Sequence, residues 1–133
     1  MLLRFLLKLA VVVAVSELLS SRARSKAVDA KGLVASWGRR RARWRVLDAV
    51  EAGGKVFVIY DYRAFPRGVP ARNLFAYDPQ GKQLWRAQDI GEGATDAYTQ
   101  FIGRDPHLVS NFAGYACEID LETGKVLGTR WTK

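Results

Sequence analysis

The sequence predicts a mainly β protein: an antiparallel meander of about six to eight short strands with one N-terminal α-helix. Three observations carry this. Short apolar and aromatic runs recur at close intervals with turn residues between them. Two hairpins repeat one pattern, Asp78-x-x-Gly81-Lys82-x-Leu84 and Asp120-x-x-x-Gly124-Lys125-Val126-Leu127. The longest apolar stretch, Leu2 to Leu19, precedes all the strand signals and carries only Arg4, Lys8 and Glu17 as charges. The organisation read from this is an apolar helix with a basic linker over 1–31 and a β-sheet domain over 32–133.

The N-terminal stretch admits four readings. As a signal peptide it has a basic start and a short apolar run, but Arg22, Arg24 and Lys26 follow where small residues belong. As a spanning helix it places Lys8 well inside a segment that needs about 20 apolar residues. As an interfacial helix it sets Arg4 and Lys8 one turn apart, with stems long enough to reach headgroups. As a soluble helix it would cover one face of a sheet. In either of the last two cases Leu3, Phe5, Leu6, Leu9, Val12 and Val13 form the buried side. If the segment does enter a membrane, the denser positive charge behind it keeps the rest of the chain on the cytoplasmic side. The expected location is therefore cytoplasmic, with attachment to the inner membrane face as the variant.

Charge divides the chain in the same place. Residues 1–45 carry eleven Lys/Arg against Glu17 and Asp29; residues 46–133 carry ten against eleven Asp/Glu. The net charge of +8 thus describes a basic arm on a nearly neutral domain. Such an arm suits an anionic partner, whether membrane headgroups, nucleic acid or an acidic protein surface.

Ser20 to Lys31 reads as a helix end or linker. Gly32 to Trp37 is a short strand or a helical turn. Arg39, Arg40, Arg41 and Arg43 then lead into Trp44 and Arg45. Interleaved Arg and Trp can hold a nucleic-acid backbone and stack bases; equally, they can begin a strand with its arginines on the wet face. Alternation from Arg43 onward supports the strand and puts Trp44, Val46 and Val50 on one side. Gly53-Gly54 turns the chain, since paired glycines supply the positive φ of a tight hairpin. Val56 to Tyr60 is apolar on both faces, so a central strand covered on both sides is expected.

Residues 63–72 form the one true loop, with two prolines, a glycine, and Arg63, Arg67 and Arg72. Loops on a rigid sheet often carry binding function. The second hairpin follows, turning at Asp78-Pro-Gln-Gly81, a type I signature, with Trp85 as a core anchor. Asp89 to Asp96 is a loop whose acids are expected to be solvated. Ala97–Ile102 and His107–Asn111 are strands, and Phe112-Ala-Gly-Tyr115 bends into the final hairpin.

Catalytic and metal-binding chemistry is sparse. With Cys117 as the sole cysteine there is no intrachain disulfide and no cysteine-based zinc site. Cys117 alternates with Tyr115 and Ile119 on one strand face, which suggests an inert buried thiol. His107 is the sole histidine and has no second one for a metal cluster. Neither Gly-Lys pair has a phosphate-loop frame. No cofactor, metal or catalytic residue is expected, and a non-enzymatic protein-binding module follows as the first functional expectation. A membrane-attached protein and a nucleic-acid-associated protein using Arg39–Arg45 are the alternatives.

The pattern of an aromatic strand followed by D-x-x-(x)-G-K-x-L-W resembles the blade repeat of quinoprotein-like β-propellers. In that repeat the Asp and Gly shape a turn and the Trp docks between blades. The chain holds at most two such units, and the second has Gly128 at the Trp position. From about residue 45 onward the sequence also looks similar to a group of small uncharacterised bacterial proteins, on Val56–Asp61, Asn73–Asp78, Asp96, Tyr98, Thr132 and Lys133. Some of these resemble toxin-neutralising immunity proteins. That resemblance implies a compact β-sheet domain with a cytoplasmic, non-catalytic role. The protein-binding module expected above would act as an immunity-type inhibitor or as a small accessory subunit of a larger assembly.

Overall fold

The computed structural model describes residues 30–38 and 44–132. These form eight antiparallel strands and one helix. The strands are not one continuous meander but two four-stranded ones. The first sheet runs in order through β1 (Val46–Ala52), β2 (Lys55–Tyr60), β3 (Leu74–Tyr77) and β4 (Gln83–Arg86). The second runs through β5 (Tyr98–Phe101), β6 (Leu108–Asn111), β7 (Tyr115–Ile119) and β8 (Val126–Trp131). The break falls at the β4–β5 connection, residues 87–97, too long for a hairpin turn.

The two sheets share a core. Phe57 and Ile59 of β2, Leu74 and Ala76 of β3 and Trp85 of β4 meet Tyr98, Phe101, Val109, Cys117 and Ile119 of the second sheet. Each large apolar side chain removed from water this way stabilises by roughly 1.5–3 kcal/mol. A polar contact reinforces the join where the Asp48 carboxylate accepts from the Phe101 amide at 2.9 Å.

The other face of the first sheet is also covered. Val56, Val58, Tyr60, Phe75 and Tyr77 lie there, packed with Val34, Leu33, Trp37, Trp44 and Phe65. That explains the uniformly apolar β2: one set of its alternating side chains faces the second sheet and the other faces the helix. The covering helix is α1, described over residues 30–36, so the stretch that read as either strand or helical turn is helical. Buried Ala30 and Val34, one turn apart, form its inner side. The Leu2–Leu19 helix lies outside the described residues.

One alternation expectation fails. Val46 packs with Trp44 toward the helix, whereas Val50 belongs to the core between the sheets. The β1–β2 register shifts between Val46 and Asp48. That bulge inserts one residue and reverses which side chains face which side.

Candidate functional site

In an antiparallel meander alternate connections collect at the same end. The β2–β3, β4–β5 and β6–β7 loops gather at one end here, and a groove of about 380 Å³ opens between the first two. It is lined by Tyr62, Phe65, Pro66 and Val69 from the first loop and by Ala94 and Ala97 from the second, with Arg63 and Arg67 among the lining side chains. Buried Ala71 and Ala97 underlie it. Phe112, 56% exposed, adjoins it: its ring centroid is 5.9 Å from that of Tyr62, and its amide donates to the Ala97 carbonyl.

The loop is held firmly. Asp61 caps the 3-10 turn Tyr62–Ala64 by accepting from the Arg63 amide. Its two oxygens also take the Arg63 guanidinium through Nε at 3.0 Å and Nη2 at 2.9 Å. These Arg63 bonds, with a smaller contribution from the Arg45 charge, hold the Asp61 carboxyl below its ordinary pKa.

At the far end of the loop, Arg86 donates to the carbonyls of Arg72 and Ala71 at 2.8 and 2.9 Å. Its guanidinium sits 5.6 Å from the ring centroid of Phe65 and 5.1 Å from that of Phe75, cation–π distances. Burial first, and then the Arg72 charge, push the Arg86 pKa down. Arg72 takes a left-handed φ of 48° and turns its side chain to the Ala87 carbonyl.

Two buried polar groups lock the floor. The Asn73 side chain donates to the carbonyls of Tyr60 and Tyr98 and accepts from the Tyr98 amide. Asp96, 1% exposed, accepts from the amides of Ile90 and Glu92 and from the Asn111 side chain. The expectation that Asp96 is a solvated loop charge is thus corrected. It is the organising acceptor of the β4–β5 loop, because three donors replace the water it loses.

The sequence-derived candidates separate in the structure. Arg63 and Arg67 line the groove; Arg72 is spent on holding the loop. Arg39, Arg40, Arg41 and Arg43 lie outside the described residues, as do Leu3, Phe5, Leu6, Leu9, Val12 and Val13. No helix among the described residues is long and apolar enough to cross a membrane. Arg86, Asn73 and Phe112 escaped sequence reasoning. Arg86 sits in a strand that reads as ordinary alternation, and only the three-dimensional return of the loop gives it work.

A second cleft, about 470 Å³, opens at the opposite end between Phe57, Leu121, Lys55, Glu122, Asp105 and His107. Its polar side chains are already partnered. Lys55 meets Glu122 at 2.8 Å, and His107 Nδ1 lies 2.9 Å from Asp105. Among the described residues no group of three or more His, Cys, Asp or Glu side chains is placed to hold a metal ion. Cys117 is buried and its thiol pKa is pushed up to about 12 by burial, then by the Asp96 charge.

The fold and groove define a class: a two-sheet β domain, capped by a helix, that presents a rigid loop groove. The chain belongs to the DUF7957 family, a domain of unknown function, whose profile matches residues 40–131. Neither the curated proteins nor the solved structures contain a match.

Proposed function

We propose that the protein is a non-enzymatic binding module that recognises another protein through the loop groove, as an immunity-type inhibitor or as a small accessory subunit. The observation that carries the reading is the pairing of exposed Phe112 and Val69 with Arg63 and Arg67 around a preformed hollow. Aromatic and Arg side chains are enriched where proteins bind one another. A loop already fixed by Asp61, Arg72 and Arg86 loses little entropy on docking.

The test is isolation of the tagged full chain from its native host after cross-linking, with stoichiometry measured on the purified complex. A single protein partner at fixed ratio is expected. A chain recovered alone at native abundance would sink the reading.

We also read the two sheets as successive blade-like repeats. Two matching contacts support this. Trp85 Nε1 donates to the carbonyl of Leu121, one residue past Asp120. Trp37 Nε1 donates to the carbonyl of Pro79, one residue past Asp78. The first sheet's turn thus receives an indole from the end of α1, and the second sheet's turn receives one from β4, the last strand of the first sheet. Gly128 stands where a third indole would be.

A further inference from the structure

The geometry points to an extended acidic segment of a partner protein as the occupant of the groove, with an aliphatic side chain in the hollow and a carboxylate on Arg67. This rests on the protein-binding reading and names the chemistry of the partner.

The charges around the groove select that chemistry. No acid lies between residues 62 and 72, where Arg63, Arg67 and Arg72 stand. Arg63 already holds Asp61 in a two-pronged pair. Arg72 and Arg86 are committed to backbone carbonyls. The acids of the neighbouring loop do not line the groove. Asp89 accepts from the Gly91 amide, and Asp96 is buried among its own donors. Arg67 is exposed, lines the groove and makes no ion pair among the described residues. An incoming carboxylate would find there a planar two-donor partner whose charge is not already answered.

The remainder of the lining is apolar: Phe65, Pro66, Val69 and the three alanines. That surface suits an aliphatic side chain and does not suit a phosphate backbone, which needs a file of cations along its path.

The experiment uses the full chain, immobilised, to select from a displayed library of random peptides. A synthetic peptide of the enriched sequence then serves as probe. Enriched peptides are expected to place Asp or Glu beside Leu, Ile, Val or Phe. Arg67→Glu and Val69→Asp, both at exposed positions and each checked by circular dichroism for a retained fold, should each weaken the probe about tenfold or more, the loss of one good contact. The probe remade with Lys for its acid should bind Arg67→Glu better than it binds the unmodified protein, an inversion that general loosening of the loop would not produce.

Peptides that bind but ignore both substitutions overturn the inference while leaving protein recognition standing. So does competition for the same site by a single-stranded oligonucleotide at equal affinity, which would move the groove to nucleic acid. Failure to enrich any peptide also overturns the inference. If the cross-linked native chain is then recovered alone as well, the binding reading falls with it.

Discussion

The indole of Trp85 lies against Gly124, so that a Cβ built on that glycine would sit 2.5 Å from Cε3 and 2.8 Å from Cδ2 of the ring. The same indole donates through Nε1 to Leu121 at 2.9 Å. Gly124 also has a φ of +76°. Two separate constraints therefore demand glycine here: a left-handed backbone and contact with a large ring. Gly124→Ala should cost about 2–4 kcal/mol, the sum of a left-handed penalty and local overpacking. Gly53→Ala is the control. Its φ is also positive, at +57°, but nothing lies within 4 Å of an added Cβ, so only about 1–2 kcal/mol is expected. Urea midpoints measured on both variants would decide. Equal losses would show that the ring contact contributes nothing.

The two tryptophan contacts differ in depth, and that sets their relative weight. Trp85 is 9% exposed within the core between the sheets, whereas the Trp37–Pro79 bond is solvent-exposed. Phenylalanine at either position keeps an aromatic ring and removes the donor. Trp85→Phe leaves the Leu121 carbonyl only the longer 3.4 Å bond from Lys55 Nζ and should cost about 2–3 kcal/mol, counting lost packing. Trp37→Phe should cost less than about 1 kcal/mol, because water can replace the indole. Reversal of that order in chemical denaturation would contradict the burial argument.

Asp96 supplies a prediction of the same kind at the groove. Its carboxylate satisfies two amides and the Asn111 side chain. Asp96→Ala strands these donors and should cost about 3 kcal/mol or more. Asp96→Asn keeps the shape and one acceptor oxygen, and should recover part of that loss. In hydrogen exchange the amides of Ile90 and Glu92 should lose protection first. Unchanged protection at both would mean that the loop is held by something else.

How legible all this was depended on the range of the interaction. The hairpin turns are written locally: Asp78 accepts from Gln80 and Lys82, and Asp120 accepts from Glu122, as Asp followed by Gly foretells. The buried β2 is equally visible, because its apolar run needs cover on both faces. The division into two sheets was not visible, since hydrogen-bond partners on a sheet depend on chain return rather than local pattern. The bulge at Val46/Asp48 left no residue signal either, and it moved Val50 to the opposite face. At the site, three arginines in a loop announced themselves. Which one is left unpaired is fixed by Asp61, which holds Arg63, and by the Ala87 carbonyl, which holds Arg72, and composition cannot supply those distances.

Cys117 should be silent toward thiol reagents in the folded protein. Burial raises its pKa to about 12, so the reactive thiolate is scarce and covered. In the unfolded chain the thiol titrates near its ordinary value. A group with a raised folded pKa contributes stability that is complete below the unfolded pKa and is lost as pH rises through the folded one. The stability of the unmodified protein should therefore fall more steeply than that of Cys117→Ala from about pH 9 upward. Labelling at pH 8 in the absence of denaturant should proceed only at the rate of unfolding. Rapid stoichiometric labelling of the native protein would place the thiol in an accessible channel instead.

Asp61 gives the opposite pH dependence and tests the groove itself. Its carboxyl is held below the ordinary value, chiefly by the hydrogen bonds from the Arg63 side chain. A depressed folded pKa contributes stability that is present above the unfolded value, about 3.9, and disappears as pH falls through the folded value. Asp61→Asn removes the charge while keeping an oxygen to accept from the Arg63 amide. The variant should be less stable than the parent at neutral pH, and the gap should close as pH drops below about 4. The same variant frees Arg63 from its carboxylate, so acidic peptides that use Arg67 should gain a second cation and bind more tightly at neutral pH. A stability gap that persists unchanged at low pH would show that the Arg63 pair is not its source. Unaltered peptide affinity would show that Arg63 does not face the bound carboxylate.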